Sequence, residues 1–160
     1  MKLKGVIVED FINYNVPCMT LEFPTCSFKC DKECGQQVCQ NSSLAQMPTL
    51  DIDLNYLINL YLNDPITEAI CCQGLEPLDS LDELIEFLNI LRKNYLCQDD
   101  VVIYTGYTKE ELSDNGILSI LNNFKPIIIK YGRYIPNWDS HYDSILKVNL
   151  ASPNQYAEIL

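Results

Sequence analysis

The sequence predicts an α/β fold, either a partial β/α barrel or an open, mostly parallel sheet, with a cysteine-bearing loop at the carboxyl edge of the strands. Three observations carry that expectation. Short apolar runs rich in Val and Ile alternate with segments of helical period, the order that builds parallel sheets through right-handed crossovers. Helix-opening Ser/Thr-x-x-Glu signatures stand at Ser80 to Glu83 and at Thr108 to Glu111. Turns bearing Gly or Pro follow several strand-like runs, and in such sheets ligands gather outside the carboxyl ends of the strands.

Taken in order, Lys4 to Val8 is a short β-rich run. Met19-Thr-Leu-Glu-Phe23 alternates as a second strand and delivers the chain to Pro24 and the cysteines. Gln40 to Thr49 is polar and closes the cysteine loop. Asp51 to Leu62 carries Leu54, Leu57, Ile58, Tyr61 and Leu62 at helical spacing, and Asp64-Pro65 ends that helix. Ile66 to Cys72, bounded by Pro65 and Gly74, fits a buried strand. The Ser80 signature opens a helix with Leu81, Leu84, Ile85, Leu88 and Leu91 on one face. Val101-Val-Ile-Tyr-Thr105 is the next strand, and the Thr108 signature begins a helix running toward Leu121. Pro126-Ile-Ile-Ile-Lys130 is a further strand, followed by Gly132.

The chain has 160 residues, 48% of them apolar, and is expected to form a single domain over 1–160 with a core that needs no disulfides. No apolar run approaches the roughly 18 residues of a membrane helix. The start lacks the apolar stretch and cleavage site of a signal peptide, so a reducing cytoplasm is the expected compartment. There, eight cysteines point to metal or redox chemistry rather than to a disulfide framework. The net charge of −11, from 11 basic against 22 acidic residues, repels phosphate backbones. No basic patch interleaved with aromatics offsets it, which argues against nucleic acid as a partner.

Cys26, Cys30, Cys34 and Cys39 all fall within residues 26–41. Thiolates converging from one loop suit an iron–sulfur cluster or zinc. Three cysteines on a four-iron cluster leave one iron open to a substrate or cofactor, whereas all four together make a closed zinc site. Cys26 and Cys30 are the first two candidate ligands. For the third, Cys34 is nearer but follows Glu33, while Cys39 follows apolar Val38 and precedes Gln40-Asn41. Cys39 and Cys34 both stand as candidates for the third ligand. Cys18, Cys71, Cys72 and Cys97 read as structural. Glu76 reads as a strand-end carboxylate that accepts from backbone amides. The sole histidine, His141, reads as an exposed residue, which leaves a His-based triad or zinc hydrolase site without support.

Cys26-x3-Cys30 and Cys39-Gln-Asn41, with Asp31 to Val38 as an insertion, resemble the Cys-x3-Cys-x2-Cys motif of the radical S-adenosylmethionine family, in its branch of small activating proteins of anaerobic ribonucleotide reductase. Gly74-Leu-Glu-Pro77 resembles that family's Gly-Gly-Glu-Pro element, and Tyr104-Thr-Gly-Tyr-Thr108 resembles its Tyr-Thr-Gly-Tyr stretch. Gly132-Arg-Tyr134 and Ser152-Pro-Asn-Gln155 are similar to a Gly-Arg-Phe and a Ser-x-Asn-Gln element. The resemblance implies a 4Fe-4S cluster on Cys26, Cys30 and Cys39, and S-adenosylmethionine bound beside it. The cofactor contacts it implies are Gly74, Leu75, Glu76, Pro77, Tyr104, Thr105, Gly106 and Asn41. It further implies a radical generator that activates a large glycyl radical enzyme, with a reduced flavodoxin or ferredoxin-type protein as electron donor. Two other readings stand beside this one: a radical enzyme acting on a small molecule or peptide, and a zinc-stabilised adaptor.

Overall fold

The computed structural model describes residues 1–160. The chain opens with β1 (Lys2–Leu3) and β2 (Gly5–Asp10), then returns through β3 (Cys18–Phe23) into two short helices, α1 (Lys29–Cys34) and α2 (Ser42–Ala45). β4 (Leu50–Asp51) pairs back on β1 and leads into α3 (Leu54–Leu62). β5 (Ala69–Gly74), α4 (Leu81–Asn89), β6 (Asp100–Tyr104), α5 (Lys109–Asp114), α6 (Ile117–Leu121) and β7 (Ile127–Tyr131) continue the alternation. A hairpin of β8 (His141–Asp143) and β9 (Val148–Leu150) follows, and β10 (Tyr156–Ile159) is the last strand.

The central sheet has six strands in the order β10-β7-β6-β5-β3-β2. β3, β5, β6 and β7 are mutually parallel, while β2 and β10 join antiparallel at the two ends. The α/β expectation is therefore realised as an open, mostly parallel mixed sheet. Its inner strands are buried on both faces, which is why Val101 to Ile103 and Ile127 to Ile129 read as unbroken apolar runs.

Side chains alternate between two cores. Leu21, Phe23, Ile70, Cys72, Ile103 and Ile129 meet Leu57, Ile58, Leu84 and Leu88 of the helices. On the other face Cys18, Cys71, Val102 and Ile128 lie under Tyr14, Leu146 and Leu150. Cys18, Cys71 and Cys72 thus behave as small apolar residues.

Caps decide the helix starts. Asp53 accepts the Tyr56 N–H at 2.8 Å, so α3 begins at Leu54 rather than at Asp51. Thr108 and Glu111 form the full reciprocal capping box of α5. Ser80 does not cap α4. A 3₁₀ turn over Pro77–Ser80 already feeds that helix, and the Ser80 hydroxyl instead pairs with Thr25 Oγ1 at 2.7 Å. The single helix expected from Thr108 toward Leu121 is split at Gly116, whose φ of 71° starts α6 afresh. His141, expected to be exposed, is half-buried in β8 with its Nδ1 enclosed and unpartnered. No helix is long and apolar enough to cross a membrane.

Candidate functional site

Beyond the carboxyl ends of the parallel strands lies a cleft of about 480 Å³, a size suited to one small ligand. Cys26, Cys30 and Cys39 all line it, and Cys34 does not. Asn41, Gly74, Leu75 and Glu76 line it from the loop and the end of β5, and Tyr104, Thr105 and Gly106 from the end of β6. Pro77 stands behind the wall, buried at the start of the 3₁₀ turn. Val148 to Leu150 of β9, and Ala151 after it, also line the cleft.

The cysteine loop is tied to the strand ends at its root. The Thr25 carbonyl accepts the Glu76 N–H at 2.7 Å, and Asp79 accepts the Ser27 N–H at 2.5 Å. Phe28, in the left-handed region at φ 52°, directs its N–H to the Cys26 sulfur at 3.2 Å. At the far end the Asn41 amide donates to the Gly74 carbonyl.

Charge holds α1, which carries Cys30, against α5. Arg133 donates from two guanidinium nitrogens to the Glu111 carboxylate at 3.0 and 2.6 Å. Its Nε stands 3.0 Å from Glu33, an ion contact without hydrogen-bond alignment. Lys29 reaches Glu111 at 3.3 Å and lies 4.0 Å from the centre of the Tyr107 ring. The bidentate Arg133 pair holds the Glu111 carboxyl down at about 2. Arg133 is itself fixed by the last segment of the chain: Asn154 donates to its carbonyl at 2.8 Å, and Gln155 to that of Gly132 at 3.2 Å.

Glu76 is buried and accepts from Gly106 N–H at 2.8 Å, Thr105 hydroxyl at 2.8 Å and Leu78 N–H at 3.2 Å. Burial outweighs these bonds and pushes its carboxyl up to about 7. Lys130, also buried, donates to the Gly132 carbonyl at 3.0 Å. Burial brings its ammonium down to about 8, with Glu76 and Cys30 pulling the other way. A carboxyl that ionises near 4.5 when unfolded and near 7 when folded disfavours folding as pH rises through that window. The apo wild type is therefore expected to lose about 3–4 kcal/mol relative to Glu76→Gln between those two values, and nothing further above them. Urea unfolding across a pH series measures this; a constant difference would assign the titration elsewhere.

The thiols in the cleft resist ionisation. Burial pushes Cys26 up to about 12 and raises Cys30 and Cys39, and a Cys39 thiolate further opposes ionisation of the other two. Ligation must therefore displace protons from them. No three Cys, His, Asp or Glu side chains are gathered as they would be around a single metal ion. A four-iron cluster spreads its thiolates over separate irons, so three cysteines lining one cleft fit it by donor type.

The sequence assigns no role to Lys130 or Asp31, and places Arg133 only as part of Gly132-Arg-Tyr134. Lys130 had a signal, since it ends the Pro126 to Lys130 run at the ligand-binding edge. Arg133 was legible as part of a short element but its ion partners were not, and Asp31 acts through backbone partners that no local pattern announces.

No curated protein and no solved structure matches the chain. Residues 17–153, which include every cysteine of the cleft and all four parallel strands, match the family model described as a 4Fe-4S single cluster domain. With that match spanning most of its length, the chain belongs to the 4Fe-4S single cluster domain family.

Proposed function

We propose that this iron–sulfur domain is a radical S-adenosylmethionine enzyme that activates a glycyl radical enzyme, with anaerobic ribonucleotide reductase as the first partner to test. One observation supports the reading above others: Cys26, Cys30 and Cys39 share a single cleft with Gly74 to Glu76 and Tyr104 to Gly106, the two strand-end segments that resemble cofactor-binding elements. When bound, a three-cysteine cluster with an open iron supplies the electron that splits S-adenosylmethionine into methionine and a 5′-deoxyadenosyl radical.

The chain's own residues bind and orient. Cys26, Cys30 and Cys39 hold the cluster. Carbonyls at the end of β5 offer acceptors to an amino group. Glu76 locks the Thr105-Gly106 turn in place through two hydrogen bonds, which keeps the cleft floor from shifting. A cleft that opens at the sheet edge admits a loop of a larger protein, and a reduced flavodoxin or ferredoxin-type protein serves as donor.

The test is anaerobic reconstitution with iron and sulfide, then dithionite and S-adenosylmethionine, with 5′-deoxyadenosine read by chromatography. Deoxyadenosine is expected, together with a glycine-centred radical signal once the reductase is added. Deoxyadenosine without that signal would redirect the search to a small-molecule or peptide substrate. A colourless protein with tight zinc and no deoxyadenosine would leave the adaptor reading.

A further inference from the structure

Residues 31–38 lie between Cys30 and Cys39, and the excursion must return for both cysteines to face one cleft. Most of it contributes nothing to that return. Gly35, Gln36 and Gln37 are exposed, and Gly35, at φ 64° with open space within 4 Å of where a Cβ would stand, only reverses the chain after α1. Asp31 is different. It stands in the first turn of α1, immediately after Cys30, and its Oδ1 accepts the N–H groups of both Val38 and Cys39, each at 2.8 Å.

We infer, on the reading of Cys26, Cys30 and Cys39 as cluster ligands, that Asp31 is the positioning residue for Cys39: its carboxylate closes the 31–38 excursion and presents the Cys39 sulfur to the cleft. The helix that carries Asp31 is a firm base, because Glu33 and Lys29 on the same helix are held by Arg133 and Glu111. Beyond Cys39 the Asn41–Gly74 bond secures the other side. Cys39 is thus fixed from both directions. The carboxylate acts through the place of one acceptor oxygen, Oδ1, which takes both N–H groups. Asparagine keeps the acceptor oxygen and loses the charge. Glutamate keeps the charge and moves the oxygen by one methylene. Alanine loses both.

The test starts from the full-length apo protein in a Cys34→Ala background, treated with dibromobimane, which bridges only neighbouring thiols; peptide mapping identifies the pair. Bridging of Cys39 to Cys26 or Cys30 is expected in the parent and in Asp31→Asn, and its loss is expected in Asp31→Ala and Asp31→Glu. Equal bridging in Asp31→Ala overturns the inference. So does its loss in Asp31→Asn with retention in Asp31→Glu, or its absence in the parent. Should Asp31→Ala fail to fold by circular dichroism, the Asn and Glu variants alone decide. In reconstitution, Asp31→Ala is expected to bind the cluster about 10–100-fold more weakly, and Asp31→Asn to match the parent. A parent that bridges its thiols but takes up no iron would refute the cluster ligands while leaving the placement of Cys39 by Asp31 intact.

Discussion

Alanine at Cys26, Cys30 or Cys39 is expected to abolish cluster assembly, while Cys34→Ala leaves it unchanged. The first three side chains line one cleft at the strand ends; Cys34 ends α1 outside it. Glu33 beside Cys34 is committed to Arg133, so swinging Cys34 inward would break the contact that holds the helix. Removing one ligand of three leaves an iron unsupported, and the measurement is iron and sulfide per chain after anaerobic reconstitution, about four of each in a full cluster. On the proposed function, addition of S-adenosylmethionine should then alter the electron paramagnetic resonance of the reduced cluster in Cys34→Ala and in wild type alike, because three cysteine ligands would leave one iron open in both. Equal loss in all four variants would mean a closed four-thiolate site. Loss in Cys34→Ala with retention in Cys39→Ala would exchange the two ligands and remove the role assigned to Asp31.

What was legible in the sequence followed from how local each feature is. Val101 to Ile103 and Ile127 to Ile129 declare buried parallel strands by composition alone, and the Thr108–Glu111 box needs only its own turn. Ser80 presents the same pattern as Thr108, yet its hydroxyl is taken by Thr25, a partner that becomes available only once the cysteine loop docks. The three-residue strands β8 and β9 and the edge strand β10 carry little periodic signal. They exist through pairing, as where Tyr156 registers with Tyr131. The split at Gly116 had a signal, a lone glycine inside a helical pattern. At the site, residues that follow strands were legible through the rule that places ligands at the carboxyl edge. The contacts that steady the site were not: Arg133 meets Glu111 and Glu33 across three separate segments, which only the folded chain brings together.

Gly74→Ala is expected to cost about 2–4 kcal/mol. Two costs coincide there. Gly74 has φ 90°, a conformation that a side chain rarely adopts, and an added Cβ would meet the Glu22 Cα at 2.8 Å and the Phe23 N at 3.0 Å. Those atoms are backbone of β3, paired in register with β5 through Phe23 and Gly74, so neither can rotate away. Relief requires the two strands to part at their carboxyl ends. That movement would carry the root of the cysteine loop away from Glu76 and pull the Gly74 carbonyl from Asn41, so cluster uptake should fall along with stability. Gly116→Ala is the matched control. Its φ of 71° carries the same kind of strain, but nothing lies within 4 Å of the added methyl, and about 1 kcal/mol is expected. Urea midpoints at unchanged m separate the two. A Gly74→Ala loss no greater than that of Gly116→Ala would mean that β3 yields easily at Glu22, and the close approach of the two strands would then not be what fixes the cysteine loop over the cleft.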